Sequence, residues 1–199
     1  MYGGPNGSPS STLNGAIQNS ISNNVKGVID TWYQTNILGK SFENQIVDNL
    51  FCNDRKIYSG LGYGSSSTDY MPRNRLYTNK TPTLKCAQQN DRFTANDTTI
   101  GNGALDYPIG LLTADEASMG GLVYGTAAGT AFLCSDIDYW TMSPYQGSGS
   151  SIFYVTTTGY LLTETVHRAN GIRPVISIST HVRVTGDGST GLPFKAIYQ

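Results

Sequence analysis

Three cysteines and two histidines are the residues of this 199-residue chain best suited to chemistry. Cys52, Cys86 and Cys134 form no CxxC pair, and His167 and His181 lie far from them. That spacing builds no structural zinc site. Cys52 and Cys86 sit in polar, loop-like surroundings (FCNDR and LKCAQQNDR) and can bridge if the protein is exported. Cys134, in AAGTAFLCSD, reads as a small buried apolar residue. No GxSxG elbow accompanies the histidines, so no serine triad is indicated. Asp136 and Asp138 offer oxygens to calcium, as does Gly186-Asp187-Gly188. EF-hand spacing is absent, and the second run reads as a turn before the last strand. No cofactor is assigned; calcium is the one candidate retained. GLGYG (60–64) lacks the strand, the helix and the Lys-Ser/Thr of a phosphate loop, and reads as a flexible loop.

Composition narrows the function classes. Lys+Arg is 13 and Asp+Glu is 14, a net charge of −1. Duplex-binding proteins carry a basic excess, so nucleic acid is not the expected partner. Charged residues are only 14%, against a usual ~25%. With 13 Tyr, 6 Phe and 2 Trp the chain still has the apolar area to fold. No apolar run approaches the ~20 residues that span a bilayer, so a membrane is reached only through an anchor outside this chain. The polar, uncharged, Tyr-rich balance suits a β-rich domain or a binding surface.

The elements follow from periodicity. Residues 1–12 are Gly, Pro, Ser and Asn and read as a flexible linker; 13–199 read as one domain. Leu13, Ile17, Ile21, Val25, Val28, Ile29, Trp32 and Tyr33 predict a helix over 13–36. Phe42, Ile46, Val47, Leu50 and Phe51 predict a second over 41–51, behind a Ser41 cap. Thr113-Ala-Asp-Glu116 is a capping box opening a short third helix that stops at Gly120-Gly121. Residues 52–108 are loop-rich. Strands are expected at Tyr139–Met142, Ile152–Thr156, Gly159–Thr163, Ile172–Ile178, Val182–Thr185 and Phe194–Tyr198, with a tight turn at Thr157-Thr158-Gly159. Ile152, Tyr154 and Thr156 face one side of their strand, Phe153 and Val155 the other. Helices first and strands later give an α+β class with a segregated antiparallel sheet. Trp140 reads as core, and Arg173 as a buried residue holding loops by several hydrogen bonds.

An ordered series of motifs then points to a family. VIDTWYQTNI (28–37), FCNDRKI (51–57), DRFT (91–94), GNGALDYPIGLLTADEASMGG (101–121), YWTMSPY (139–145), GIRPVISI (171–178) and GDGSTGLPF (186–194) resemble bacterial surface proteins of gut clostridia and their relatives. Members often stand behind a pilin-like or lipoprotein N-terminus. The C-terminal half is similar to the C-type-lectin-like fold of formylglycine-generating enzymes and of the variable proteins of diversity-generating retroelements. The resemblance implies a C-type-lectin-like domain with two N-terminal helices, a short third helix and a twisted antiparallel sheet in the C-terminal half. It implies an extracellular or cell-surface place. The reactive cysteine pair of the enzymes is missing, since only Cys134 lies in the last third. The EPN or QPD loop and the WND strand of calcium-dependent lectins are missing too.

In retroelement-diversified proteins a variable surface occupies the place of Tyr145–Asn170. Tyr145, Gln146, Ser150, Ser151, Tyr154, Tyr160, Glu164, His167 and Arg168 are therefore expected to form one ligand-binding face, with aromatic anchors and polar partners. The expected function is a non-enzymatic binding or adhesion module, with a protein or glycan ligand on a host or bacterial surface. The alternatives are the structural head of a pilin-like protein and an enzyme of the formylglycine-generating group. The plain alternative for the face itself is an ordinary polar hairpin.

Overall fold

A computed structural model describes residues 24–129, 131–147, 150–189 and 191–197. The predicted linker, and residues 13–23 of the predicted first helix, lie outside them. Helix α1 spans Asn24–Asn36. Its buried stripe is Ile29 and Tyr33, continued by Ile37 just past its end, while Val28 and Trp32 of the predicted apolar face are exposed. The four-residue step keeps the stripe on one side of the helix. The Tyr33 ring stacks on Tyr107 at 4.9 Å. Gly39, at φ 73°, takes the left-handed turn just beyond the helix.

The predicted second helix over 41–51 does not form. A 3-10 turn occupies Glu43–Gln45, followed by strands β1 (Ile46–Val47) and β2 (Phe51–Cys52). Distant partners override the local pattern. Ile46 and Val47 pair with Ile178 and Ser177, and Phe51 and Cys52 pair with Phe93 and Arg92. Five apolar residues in eleven fit a helix face equally well, and only tertiary pairing decides between the two.

The loop-rich middle carries β3 (Ile57–Ser59), β4 (Asp69–Tyr70), a π-helix (Arg73–Asn79), a 3-10 turn (Gln89–Asp91), β5 (Arg92–Phe93) and β6 (Gly110–Leu111). Helix α2 follows at Ala114–Met119. Its capping box is complete: Thr113 Oγ1 accepts from the Glu116 N–H, and Glu116 Oε2 accepts from the Thr113 N–H. The Gly120 N–H closes the last turn on the Glu116 carbonyl.

Next come β7 (Tyr139–Gln146), β8 (Ser151–Val155) and β9 (Leu161–Thr165). They join β3 and β4 in a five-stranded antiparallel sheet of order β3-β4-β7-β8-β9. The predicted hairpin turn is present. The Thr156 N–H donates to the Tyr160 carbonyl, and Gly159 sits at φ 79° with the Ala128 backbone against it. A Cβ there would lie 2.6 Å from the Ala128 carbonyl, so only glycine fits this corner. The predicted strand Ile172–Ile178 divides into β10 (Pro174–Val175), paired with β6, and β11 (Ser177–Ile178), paired with β1. A terminal pair, β12 (Arg183–Thr185) and β13 (Lys195–Ile197), completes the order. The class is α+β with few helices and antiparallel sheets. No helix among the described residues is long and apolar enough to cross a membrane.

β8 separates two cores, because alternate residues point to opposite faces. Phe153 and Val155 join Leu76, Ala114, Ala117, Leu122, Tyr139 and Leu161. Ile152 joins α1 and Trp140, Ile109 and Leu111 on the other side. Arg173 is half-buried. Its guanidinium donates to the Leu133 carbonyl and the Tyr139 hydroxyl and lies over the Tyr139 ring. Cys134 is a half-buried free thiol that donates to the Ala128 carbonyl.

Buried ion pairs brace the middle region. Arg55 donates from Nε to Asp91 Oδ1 at 2.6 Å. Arg75 forks onto Asp115 through Nε (2.9 Å) and Nη2 (2.7 Å), and reaches Asp54 Oδ2 at 2.6 Å. Burial pushes the Asp54 carboxyl above the ordinary carboxylate range, and Asp91 and Asp115 push the same way against the pull of Arg75. A carboxyl raised in the folded state holds its proton more tightly there than when unfolded. Its contribution to stability is complete below the unfolded Asp value of about 3.9 and is lost as pH rises through the higher folded value. The stability of wild type relative to Asp54→Asn is therefore expected to fall across that window. Urea unfolding at stepped pH measures it, and a flat difference would contradict the raised value.

Candidate binding face

The nine predicted residues do not form one face; strand parity divides them. Ser151 lies opposite Thr165 and Gln146, while Tyr154 lies opposite Leu162 and Glu164 opposite Ile152. Residues directly opposite share a face, so Tyr154 and Glu164 stand on the Ile152 side. Tyr154 packs there on Trp140 at 5.9 Å. Tyr145 stands on the other side, with its ring 5.4 Å from that of Phe153. Ser150, at φ 52°, turns between β7 and β8, and Tyr160 follows the β8–β9 turn. His167 and Arg168 are exposed beyond β9. Glu164 accepts from the Thr165 N–H at 2.8 Å, which holds its carboxyl below the ordinary range. Its contact with Arg168 is loose, at 3.9 Å. A single contact face is thus corrected to two surfaces separated by the sheet.

Tyr145 belongs instead to a cluster that the sequence reading did not assemble. Tyr77 comes from the π-helix, Tyr124 from the loop after α2 and Tyr145 from β7. The Tyr124 and Tyr145 rings are parallel, 6.3 Å apart. Tyr77 stands edge-on to both, at 5.1 and 6.2 Å. Phe153 also stands edge-on to both, from the core, at 6.0 and 5.4 Å. Edge-to-face pairs satisfy the ring quadrupoles, each worth about 0.5–1.5 kcal/mol beyond burial. Phe153 is fully buried, whereas Tyr77 is 47% exposed. The cluster therefore runs from core to solvent.

Two cations flank it. The Arg73 guanidinium lies 5.2 Å from the Tyr145 ring centre and 5.8 Å from that of Tyr77. It also pairs with Asp69, four residues back in sequence. The Lys80 ammonium lies 5.2 Å from the Tyr124 ring centre and donates to the Tyr124 carbonyl. Lys80 holds a left-handed conformation at φ 56°, which ends the π-helix. Burial pushes the Tyr124 hydroxyl up, so it stays protonated and able to donate at neutral pH. Cation–π contacts of this kind are each worth ~0.5–1 kcal/mol at exposed sites. The face thus offers rings for stacking and hydroxyl and ammonium groups for polar contacts. Among the described residues, no group of three or more His, Cys, Asp or Glu is placed to hold a metal ion.

Nothing in spacing joins positions 77, 124 and 145. The available signal was local: Arg73 and Tyr77 lie four residues apart, a step that puts two side chains on one side of a helix.

A family described as "Domain of unknown function (DUF6273)" matches residues 10–180. The chain belongs to the DUF6273 family. No curated protein and no solved structure matches it significantly. The DUF6273 match runs from before α1 to just past β11, so it contains the whole aromatic cluster and both cores. The β12–β13 pair lies beyond it.

Proposed function

We propose that this DUF6273 chain is a non-enzymatic extracellular binding module with a C-type-lectin-like fold. It contacts a protein or glycan on a host or bacterial surface through Tyr77, Tyr124 and Tyr145. The observation that carries this reading is the run of rings from buried Phe153 to half-exposed Tyr77, flanked by Arg73 and Lys80. A rigid aromatic anchor with polar neighbours is what binding surfaces use, because Tyr gives contact area at low entropic cost. The Cys52–Cys86 bridge supports export, since disulfides persist in oxidising compartments. The resemblance of the motif series to bacterial surface proteins supports display on a cell.

The test is a glycan and surface-protein array probed with wild type and a Tyr77→Ala, Lys80→Ala double variant. Tyr77 makes two edge-to-face ring contacts and Lys80 a cation–π contact, so urea unfolding first establishes that the variant is folded under the array conditions. Wild type is expected to bind at least one ligand class, and the variant at least tenfold more weakly. Equal binding by the two proteins would remove this face from the function.

A further inference from the structure

The tyrosine face carries a charge imbalance. Arg73 is paired with Asp69. Lys80 is exposed, and among the described residues its ammonium meets the Tyr124 carbonyl at 3.2 Å and the Tyr124 ring at 5.2 Å, with no carboxylate in reach. The carboxylates of the neighbouring elements are engaged elsewhere: Asp115 on Arg75, Glu116 on the Thr113 cap, and Glu164 on the Thr165 N–H from the Ile152 side of the sheet. An ammonium has three donors and the Tyr124 carbonyl takes one, so two remain for a ligand. The backbone beneath is fixed, because the Lys80 and Thr81 N–H groups both donate to the Arg75 carbonyl.

Rings and hydroxyls surround that charge. The Tyr77 ring centre and the Lys80 ammonium lie 5.1 and 5.2 Å from the Tyr124 ring centre, so one small ligand can touch both. Tyr77 is half-exposed, and its edge-to-face contacts with Tyr124 and Tyr145 fix the ring before a ligand arrives. Thr163 stands directly opposite Phe153, on the tyrosine side of the sheet, and adds a hydroxyl. A ligand that uses all of this combines an apolar C–H face, hydroxyls and a negative charge on one compact frame. A neutral sugar would leave the ammonium without a counter-charge. A simple carboxylate would leave the Tyr77 ring uncovered.

We infer that this face takes an acidic saccharide, with the C–H face of a carboxylate-bearing sugar unit on Tyr77 and its carboxylate on Lys80. The inference rests on the reading of this face as the binding site. The partly positive C–H groups of a pyranose meet the negative face of the ring, as a ring edge does in an aromatic pair. The ammonium gives the carboxylate a charge-assisted hydrogen bond, and the sugar hydroxyls meet those of Thr163 and the tyrosines.

The experiment titrates the full chain with methyl galacturonide and methyl glucuronide, and with their neutral counterparts methyl galactoside and methyl glucoside, read by ligand-observed NMR. At least one uronide is expected to saturate, about threefold more tightly than its neutral counterpart at low salt, since an exposed ion pair is worth roughly two- to fivefold. That margin should close in about 1 M salt, where exposed charges are screened. Lys80→Met, whose stem still covers the Tyr124 ring, is expected to bind the two members of a pair alike. Tyr77→Ala is expected to weaken both members at least threefold. A uronide no tighter than its counterpart, or a margin that survives Lys80→Met, would overturn the acidic assignment and leave the face a binding site. Should a variant fail to fold in urea unfolding controls, the wild type decides alone, because a margin untouched by salt overturns the inference equally. Saturation by none of the four sugars overturns it as well, and the array then reports separately whether the face binds another ligand.

Discussion

Arg75→Met is expected to lower folding stability by roughly 3–5 kcal/mol, the cost of removing one partner from a buried ion pair. The reason is geometric. One guanidinium serves two carboxylates, Asp115 through a fork and Asp54 through a shared Nη2. Methionine fills similar volume but leaves both acids without their cation. Arg55 cannot replace it, because it is held by Asp91 and the Asn90 carbonyl. Arg75→Lys should recover only part of the loss, since a single ammonium does not present two parallel donors. Urea unfolding of the three proteins at neutral pH gives the differences. The Met variant should also recover as pH falls, because its orphaned carboxylates can take protons. A loss under about 1 kcal/mol would mean that the carboxylates find water or other donors easily.

Breaking the Cys52–Cys86 bridge is the second large effect. The bridge joins residues 34 apart, with Cα atoms 5.7 Å from each other. Closing such a loop in the unfolded chain is worth about 4 kcal/mol on the chain-entropy account. For a domain of this size that corresponds to a fall of about 8–15 °C in Tm. The elements it secures have little stability of their own. β2 and β5 are two residues each, and the Gln89–Asp91 turn that carries the buried Asp91 begins three residues after Cys86. The paired Cys52→Ser, Cys86→Ser variant, and the wild type under reductant, should unfold at the same lowered urea concentration. Cys134→Ser, at the free thiol, serves as the control. Coincident curves for oxidised and reduced protein would leave the bridge with no role in stability.

How much of this was legible depended on sequence distance. The capping box at Thr113–Glu116 and the turn at Gly159 are local devices, and local spacing revealed them. The β7–β8–β9 run was readable for the same reason, although β7 continues four residues beyond the predicted end at Met142. The segment 41–51 was misread because its partners lie at 92–93 and 177–178, beyond any window. The candidate face was half legible. Tyr145 was named, but Tyr77 and Tyr124 reach it only through the fold, and Tyr154 lies across the sheet. The charged network was not visible at all, because Asp54, Arg75, Asp91 and Asp115 look like ordinary surface residues in sequence. Only burial gives them meaning.

The two-sided burial of β8 has a thermodynamic consequence. A strand with one wet face lets the layers on either side melt separately. Here Ile152 belongs to one core and Phe153 and Val155 to the other, on the same five-residue backbone. Neither core can loosen without withdrawing the floor of its neighbour. The α1 layer and the α2 layer are thereby coupled into one cooperative unit, and heat should meet a single transition rather than two.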